Sequence, residues 1–480
     1  MELDPDYIKE NIDQIGKKEG LILLREWINS SSNTKVRQKA LENYGLIEEG
    51  KNFKFFENLF LSDENLEIRL IAGKILKKKY SNNKKLISLL GYTLNKVDNV
   101  ELQLFALRAL NSLNNMKVRK IVIDYLKYLI KNIFSNKNSI FLQEIWNFDP
   151  SDAIPESFLK VCTNLILNEF YVKKCGYHVT LRKGKIYSLN CESSNLNKIS
   201  EVIGLKSLSD LEHLQLEHNK LESIDKIQFL TKLKTLDLSH NYIKKIENLE
   251  GSNNLEELNL SNNKIHTINN LDSLSQLKKL VLNNNLIEEI NNITNLVKLE
   301  ELNLSHNHIS EIKNLNELVQ LNRLNLAYNQ IEQIKGLNNL INLMWLYLND
   351  NNITQIRGLS FLHKLKGLYL SSNLIKNIES LDSLLNLKKI ELSNNNITKI
   401  EGLNTLNNLQ ELYLDNNKIK LLEGLEGLNS LIILHLGRNQ ITQFKNEDIE
   451  CLKGLNFLFL NENPLDTKSW EQFKKRFKFP

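Results

Sequence analysis

Trp345, Tyr347 and Tyr369, with Tyr328 and Tyr413 to either side, are the residues whose types best suit a chemistry, and that chemistry is binding. Aromatic side chains bury much apolar area and lose little rotamer freedom, which suits contact with another protein. Arg323, Asp350, Glu391 and Asp415 stand among them and supply charges that would orient a partner. Catalytic chemistry has no such foothold. The chain holds no G-x-x-x-x-G-K-[ST] phosphate loop, no G-x-G-x-x-G, no H-E-x-x-H and no G-x-S-x-G. No residue is therefore assigned a catalytic role.

His218, His240 and His306 recur in one sequence slot, and the first two are 22 residues apart. A metal site needs three or four ligands, and the same slot holds Asn262 and Asn284 in between. No metal and no cofactor is expected. The four cysteines, Cys162, Cys175, Cys191 and Cys451, form no C-x-x-C pair, which argues against a zinc knuckle or a disulfide scaffold. Cys162 and Cys191 fall at apolar positions and read as core.

Positioning those aromatics requires a repeating frame, and the sequence has one. Stepping by 22 residues from Asn219 lands on an Asn each time, through Asn329, Asn351 and Asn373 to Asn439; Asn463 follows after 24. Each is preceded by L-x-x-L-x-L-x-x and followed by x-I-x-x-I, with small drifts. In L-x-L the two leucines share one face of a short strand, and successive strands pair into a parallel sheet. The Asn side chain can satisfy backbone groups left unpaired where the chain turns inside the coil. Ile353, Ile356, Leu359 and Leu362 fill the core from the far side, at a spacing that suits tight turns rather than long helices. The x positions of each strand then face outward on the concave side. That places Arg323, Tyr328, Trp345, Tyr347, Asp350, Tyr369, Glu391, Tyr413 and Asp415 on one surface. Stacking among themselves is the bland alternative to partner binding.

Residues 1–150 read as helices. Segments beginning at Asn33, Asn65 and Asn99 echo one another, with aligned alanines at Ala40, Ala72 and Ala106. Each follows an Asn that can cap a helix. An unrelated helical bundle is the alternative to a repeat. Pro150 and Pro155 mark a boundary. Residues 151–185 read as a linker helix, roughly Glu156 to Val172, and a capping hairpin; 186–465 read as the coil array. Residues 466–480 read as a terminal amphipathic helix with Trp470, Phe473 and Phe477.

The coil pattern resembles the leucine-rich repeat, and its length resembles the 22-residue repeats of protein phosphatase-1 regulators and of bacterial internalins. The N-terminal segments look like HEAT or armadillo repeats. The fold class expected is therefore an α+β repeat protein: a HEAT-like α-solenoid, then a leucine-rich repeat solenoid with a concave parallel sheet. NPLDTKSWEQFKKRF stands where the phosphatase regulators carry their usual C-terminal cap. The resemblance implies a partner held on the concave face.

Net charge is only +5, from 62 basic and 57 acidic residues, so no field favours nucleic acid or an anionic membrane. The first twenty residues are polar, and no apolar run is long enough to insert in a membrane. The expected location is cytoplasmic. The function expected is a non-catalytic interaction scaffold or regulatory subunit, for a phosphatase or a small GTPase. The helical domain is free to hold a second partner. The alternative is a substrate-recognition component of a ubiquitin-type ligase or kinase assembly.

Overall fold

The computed structural model describes residues 4–134, 140–225, 227–443 and 454–476. Phe444, Cys451, Phe477 and the side chain of Phe473 lie outside that description. The chain forms two compact units, residues 1–176 with 181–186, and residues 177–180 with 187–480.

The first unit is built from helix pairs. Lys17–Ser30 packs on Thr34–Ile47, Phe53–Ser62 on Leu66–Lys79, and Lys84–Lys96 on Val100–Leu113. The second members of these pairs pack on one another in order, which makes the array a solenoid. Local sequence explains each start. Asn33, Asn65 and Asn99 cap their helices, their side chains accepting from Val36, Ile68 and Leu102 backbone N–H groups. Ala40, Ala72 and Ala106 are fully buried between neighbouring helices, where a larger side chain would push the pairs apart. Four residues after two of the capping asparagines an arginine reaches back across the pair. Arg37 Nε donates to Ile28 O (2.7 Å) and Arg69 Nε to Phe60 O (2.9 Å), carbonyls at the end of the preceding helix. Glu156–Phe170 packs against Val100–Leu113 and Met116–Ile133, and so continues this unit. From Tyr171 to Cys175 the chain widens into a π-helical turn and stops at Gly176, whose φ is 72°.

Except for residues 181, 182, 185 and 186 of its first two strands, the second unit carries a 14-stranded sheet whose strands follow chain order. It opens with a hairpin, His178–Arg182 and Lys185–Asn190, whose two turn residues Lys183 and Gly184 both have positive φ. Three-residue strands follow at one per coil, from His213–Gln215 to Phe457–Phe459, all parallel and in register. Leu324, Leu346, Leu368 and Ile390 are direct partners across four strands and are fully buried. Behind them Leu362 N–H donates to Leu359 O and Leu365 N–H to Leu362 O, both at 2.9 Å. Each three-residue step on the far side is therefore one tight turn, and the coil stays thin.

The repeated asparagines hold the coils together. Asn351 Nδ2 donates to Leu326 O and Leu348 O at 3.0 Å and to Asn349 O at 3.3 Å, while its Oδ1 accepts from Ile331 N–H at 2.9 Å. The same set recurs at Asn373, Asn395 and Asn417. Just before each asparagine the backbone is left-handed. This slot runs from His218 (φ 55°) through Tyr328 (54°) and Asp350 (56°) to Glu462 (58°). A non-glycine residue seldom adopts that conformation, and here the surrounding ladder imposes it in every coil.

Candidate protein-binding face

Strand register sorts the outward side chains into two columns. One column runs Arg323, Trp345, Gly367, Lys389, Glu411, Ile433 and Phe457, each the direct partner of the next. The other runs Asn325, Tyr347, Tyr369, Glu391, Tyr413, His435 and Phe459. In the first column Trp345 lies flat over Gly367: a Cβ built there would meet Trp345 Cε3 at 2.4 Å. Gly367 is thus the one residue type that lets the indole spread onto the next strand. Trp345 is half-buried as a result, and Arg323 sits 6.0 Å from its ring.

In the second column Tyr347 and Tyr369 stack with ring centroids 4.4 Å apart and planes 15° apart. Arg323 Nη1 donates to Tyr347 Oη at 3.3 Å. Glu391 interrupts the rings, and Lys389 fills the gap from the side. Its ammonium lies 5.7 Å from the Tyr369 ring and 4.7 Å from the Tyr413 ring. It is held by Glu391 at 2.9 Å and Glu411 at 3.2 Å. Those carboxylates outweigh the cost of burial and hold the lysine well above its ordinary pKa. Beyond the bridge the stack resumes: Tyr413 on His435 at 4.7 Å, and His435 on Phe459 at 4.0 Å. Tyr413 Oη donates to Glu411 at 3.0 Å, and Asp415 accepts from Gly437 N–H at 3.0 Å beside His435 Nδ1 at 3.6 Å.

The stack has a titration consequence. Burial, and then the neighbouring Tyr347, push the Tyr369 phenol up to about 12. A phenol whose folded pKa is raised contributes stability that is intact below its unfolded value and is lost as pH rises through the folded one. Stability should therefore fall between about pH 10 and 12. Chemical melts of Tyr369→Phe should show a shallower fall over that interval than wild type. An identical alkaline profile would place Tyr369 in ordinary solvent.

Models of the leucine-rich repeat match residues 185–243, 209–265, 341–397 and 408–465, with further repeat models over 297–339, 385–427 and 254–277. Together they span more than half the chain. The chain is a leucine-rich repeat protein. An internalin (InlF) of Listeria monocytogenes is similar at 26% identity and a TM-score of 0.55, over 63% of this chain and 92% of that one. A leucine-rich repeat protein of Leptospira interrogans is similar at 28% identity and a TM-score of 0.54, over 58% of this chain and 79% of that one. No curated protein matches the chain.

Within this leucine-rich repeat protein the predicted site residues fall into two places. Arg323, Trp345, Tyr347, Tyr369, Glu391 and Tyr413 share the two columns, and Asp415 closes on His435 at their edge. Tyr328 and Asp350 stand apart, in the left-handed slot at the strand ends. There Tyr328 stacks on His306 at 4.0 Å, and Asp350 accepts from Asn349 Nδ2 at 2.9 Å. Sequence reasoning missed His435, Phe457 and Phe459, and the bridging place of Lys389 between the rings. Counting back four and six residues from Asn439 and Asn463 finds the first three.

Other chemistries find less material. His218 and His240 stack at 4.1 Å rather than converging on a point, and His240 Nε2 contacts Asn262 Nδ2 at 3.2 Å. Among the described residues no group of three or more His, Cys, Asp or Glu could hold a metal ion. Cys162 is fully buried and its thiol is pushed up to about 12, the opposite of an activated nucleophile. Among the described residues no helix is long and apolar enough to cross a membrane.

Proposed function

We propose that the concave face between Arg323 and Phe459 binds a partner protein and that the chain itself is non-catalytic. The carrying observation is a contrast within one sheet. The strands from Thr235 to Asn303 fill the same two columns with Thr235, Asp237, Glu257, Asn259, Lys279, Val281, Glu301 and Asn303, so the coil does not need aromatics there to fold. The aromatics instead make a pre-organised apolar surface, locked by stacking and by Lys389 before any partner arrives. Trp345, Tyr347, Tyr369 and Tyr413 form its centre. Arg323, Asp350, Glu391 and Asp415, with Tyr328 beyond, form the polar rim that sets orientation. Arg323 and Lys389 are the only Lys or Arg in the two columns between Arg323 and Phe459, and Lys389 is neutralised by Glu391 and Glu411, so the face offers no continuous basic track for phosphates.

The 22-residue repeat resemblance supports a finer reading as a cytoplasmic regulatory subunit or scaffold for a phosphatase or a small GTPase. Capture from cells with tagged wild type and a Trp345→Ala/Phe457→Ala variant tests the face. Loss of the central anchor Trp345 together with Phe457 at the far end of the face should weaken the true partner by roughly 2 kcal/mol or more, a drop of about thirtyfold. Both proteins must first be shown folded by circular dichroism. Equal recovery of the same partners by both would end the proposal.

A further inference from the structure

A second unusual surface lies off the concave face, in the turn that leads into each strand. The slot directly after the buried leucine of that turn holds Val297, Val319, Ile341, His363 and Leu385 in five consecutive coils. Val297, Val319, Ile341 and Leu385 are 46%, 39%, 53% and 53% exposed, and Phe361, two residues before His363, is 53% exposed. Thr231, Asn253 and Ser275 fill the same slot on one side, and Asn407 and Asn429 on the other. Nothing in the coil therefore requires an apolar residue there. Isolated exposed apolar side chains are ordinary, but a run confined to successive coils at one slot is not.

The run is held in line. Asn342 Nδ2 donates to Val319 O at 2.8 Å, Asn386 Nδ2 to His363 O at 2.7 Å, and Asn408 Nδ2 to Leu385 O at 2.9 Å. The first two bonds tie neighbouring coils of the row to each other, and the third ties its last coil to the next one. At about 4.8 Å per coil the four steps from Val297 to Leu385 span about 19 Å. One α-helical turn rises about 5.4 Å, so a helix laid along the row presents one apolar residue per coil over about 13 residues. Charge selects the helix further. Lys366 and Lys388 are exposed on the strand side and, among the described residues, make no ion pair, while Glu317 and Asp382 are exposed on the other side.

We propose that this row docks one amphipathic helix of a partner, with acidic residues on the flank facing Lys366 and Lys388. This surface is separate from the concave face and does not depend on it.

The probe is a fluorescein-labelled synthetic 16-residue helix with Leu at positions i, i+4, i+7 and i+11 and glutamates along one flank. Fluorescence anisotropy against the full chain should show saturable binding, weakened at least tenfold by Ile341→Asp/Leu385→Asp. Lys366→Glu/Lys388→Glu should weaken it too, and Trp345→Ala should leave it unchanged. Equal binding of a scrambled peptide, or wild-type affinity in Ile341→Asp/Leu385→Asp, overturns the proposal. So does loss of binding in Trp345→Ala, which would put the helix on the concave face. A concentration-dependent dimer in ultracentrifugation that Ile341→Asp abolishes would assign the row to a second copy instead, and also overturns it.

Discussion

Asn351→Asp, a change of one amide to a carboxylate of the same shape, should destabilise the coil array by about 3–5 kcal/mol at neutral pH. The native amide donates to Leu326 O, Leu348 O and Asn349 O, and accepts from Ile331 N–H. An ionised aspartate keeps the acceptor and loses every donor. Three carbonyls would then face a buried negative charge, where each unsatisfied group alone costs about 1–3 kcal/mol. The burial and the carbonyl dipoles should raise the new carboxyl's folded pKa. Its protonated form restores one donor, so the deficit relative to wild type should shrink as pH is lowered. Asn352→Asp is the control, because Asn352 is exposed and carries the same charge change at the neighbouring position. Urea melts of the two variants should separate clearly at neutral pH. If Asn351→Asp and Asn352→Asp melt together, the asparagine ladder does not hold the coils.

The ladder was legible because its chemistry needs one residue type at one interval. Only Asn offers a donor pair and an acceptor of the right length, so the sequence repeats it without substitution from Asn219 to Asn439. The helix caps at Asn33, Asn65 and Asn99 were legible because a helix start needs a short side-chain acceptor at that place. The left-handed slot was not, since His218, Tyr328, Ser372, Arg438 and Glu462 share no side-chain chemistry. What they share is a backbone conformation that the ladder imposes from outside the residue. The concave columns were half legible. The period identified Trp345 and Tyr347 as outward, but whether neighbours stack or splay depends on Gly367 making room and Lys389 closing a gap. Those are pair properties across strands, invisible to a single coil. The apolar row was hidden by its company: Ile341 follows Leu340, and Leu385 follows Leu384, so an exposed residue reads as one more core residue.

Leu346→Ala makes the complementary test, because Leu346 and Trp345 are adjacent in sequence and opposite in role. Leu346 is fully buried and pairs in register with Leu324 and Leu368. Truncating it removes most of a core side chain and leaves a cavity that a rigid, ladder-bonded coil cannot close, at a cost of about 2–5 kcal/mol. In a solenoid each coil is stabilised mainly by its neighbours, so the loss should not spread evenly. Hydrogen exchange should quicken most at the amides of 323–325, 345–347 and 367–369, and much less near 213–215. A melt with two steps rather than one is expected, as the weakened middle uncouples the flanking coils. Trp345→Ala should behave differently. Its indole covers Gly367 yet keeps an exposed face, so part of its area is already in water and the stability loss should be smaller than for Leu346→Ala. The two variants together read out the orientation of the strand. If Trp345→Ala destabilises the array more than Leu346→Ala, the indole faces the core, and the concave aromatic surface does not exist.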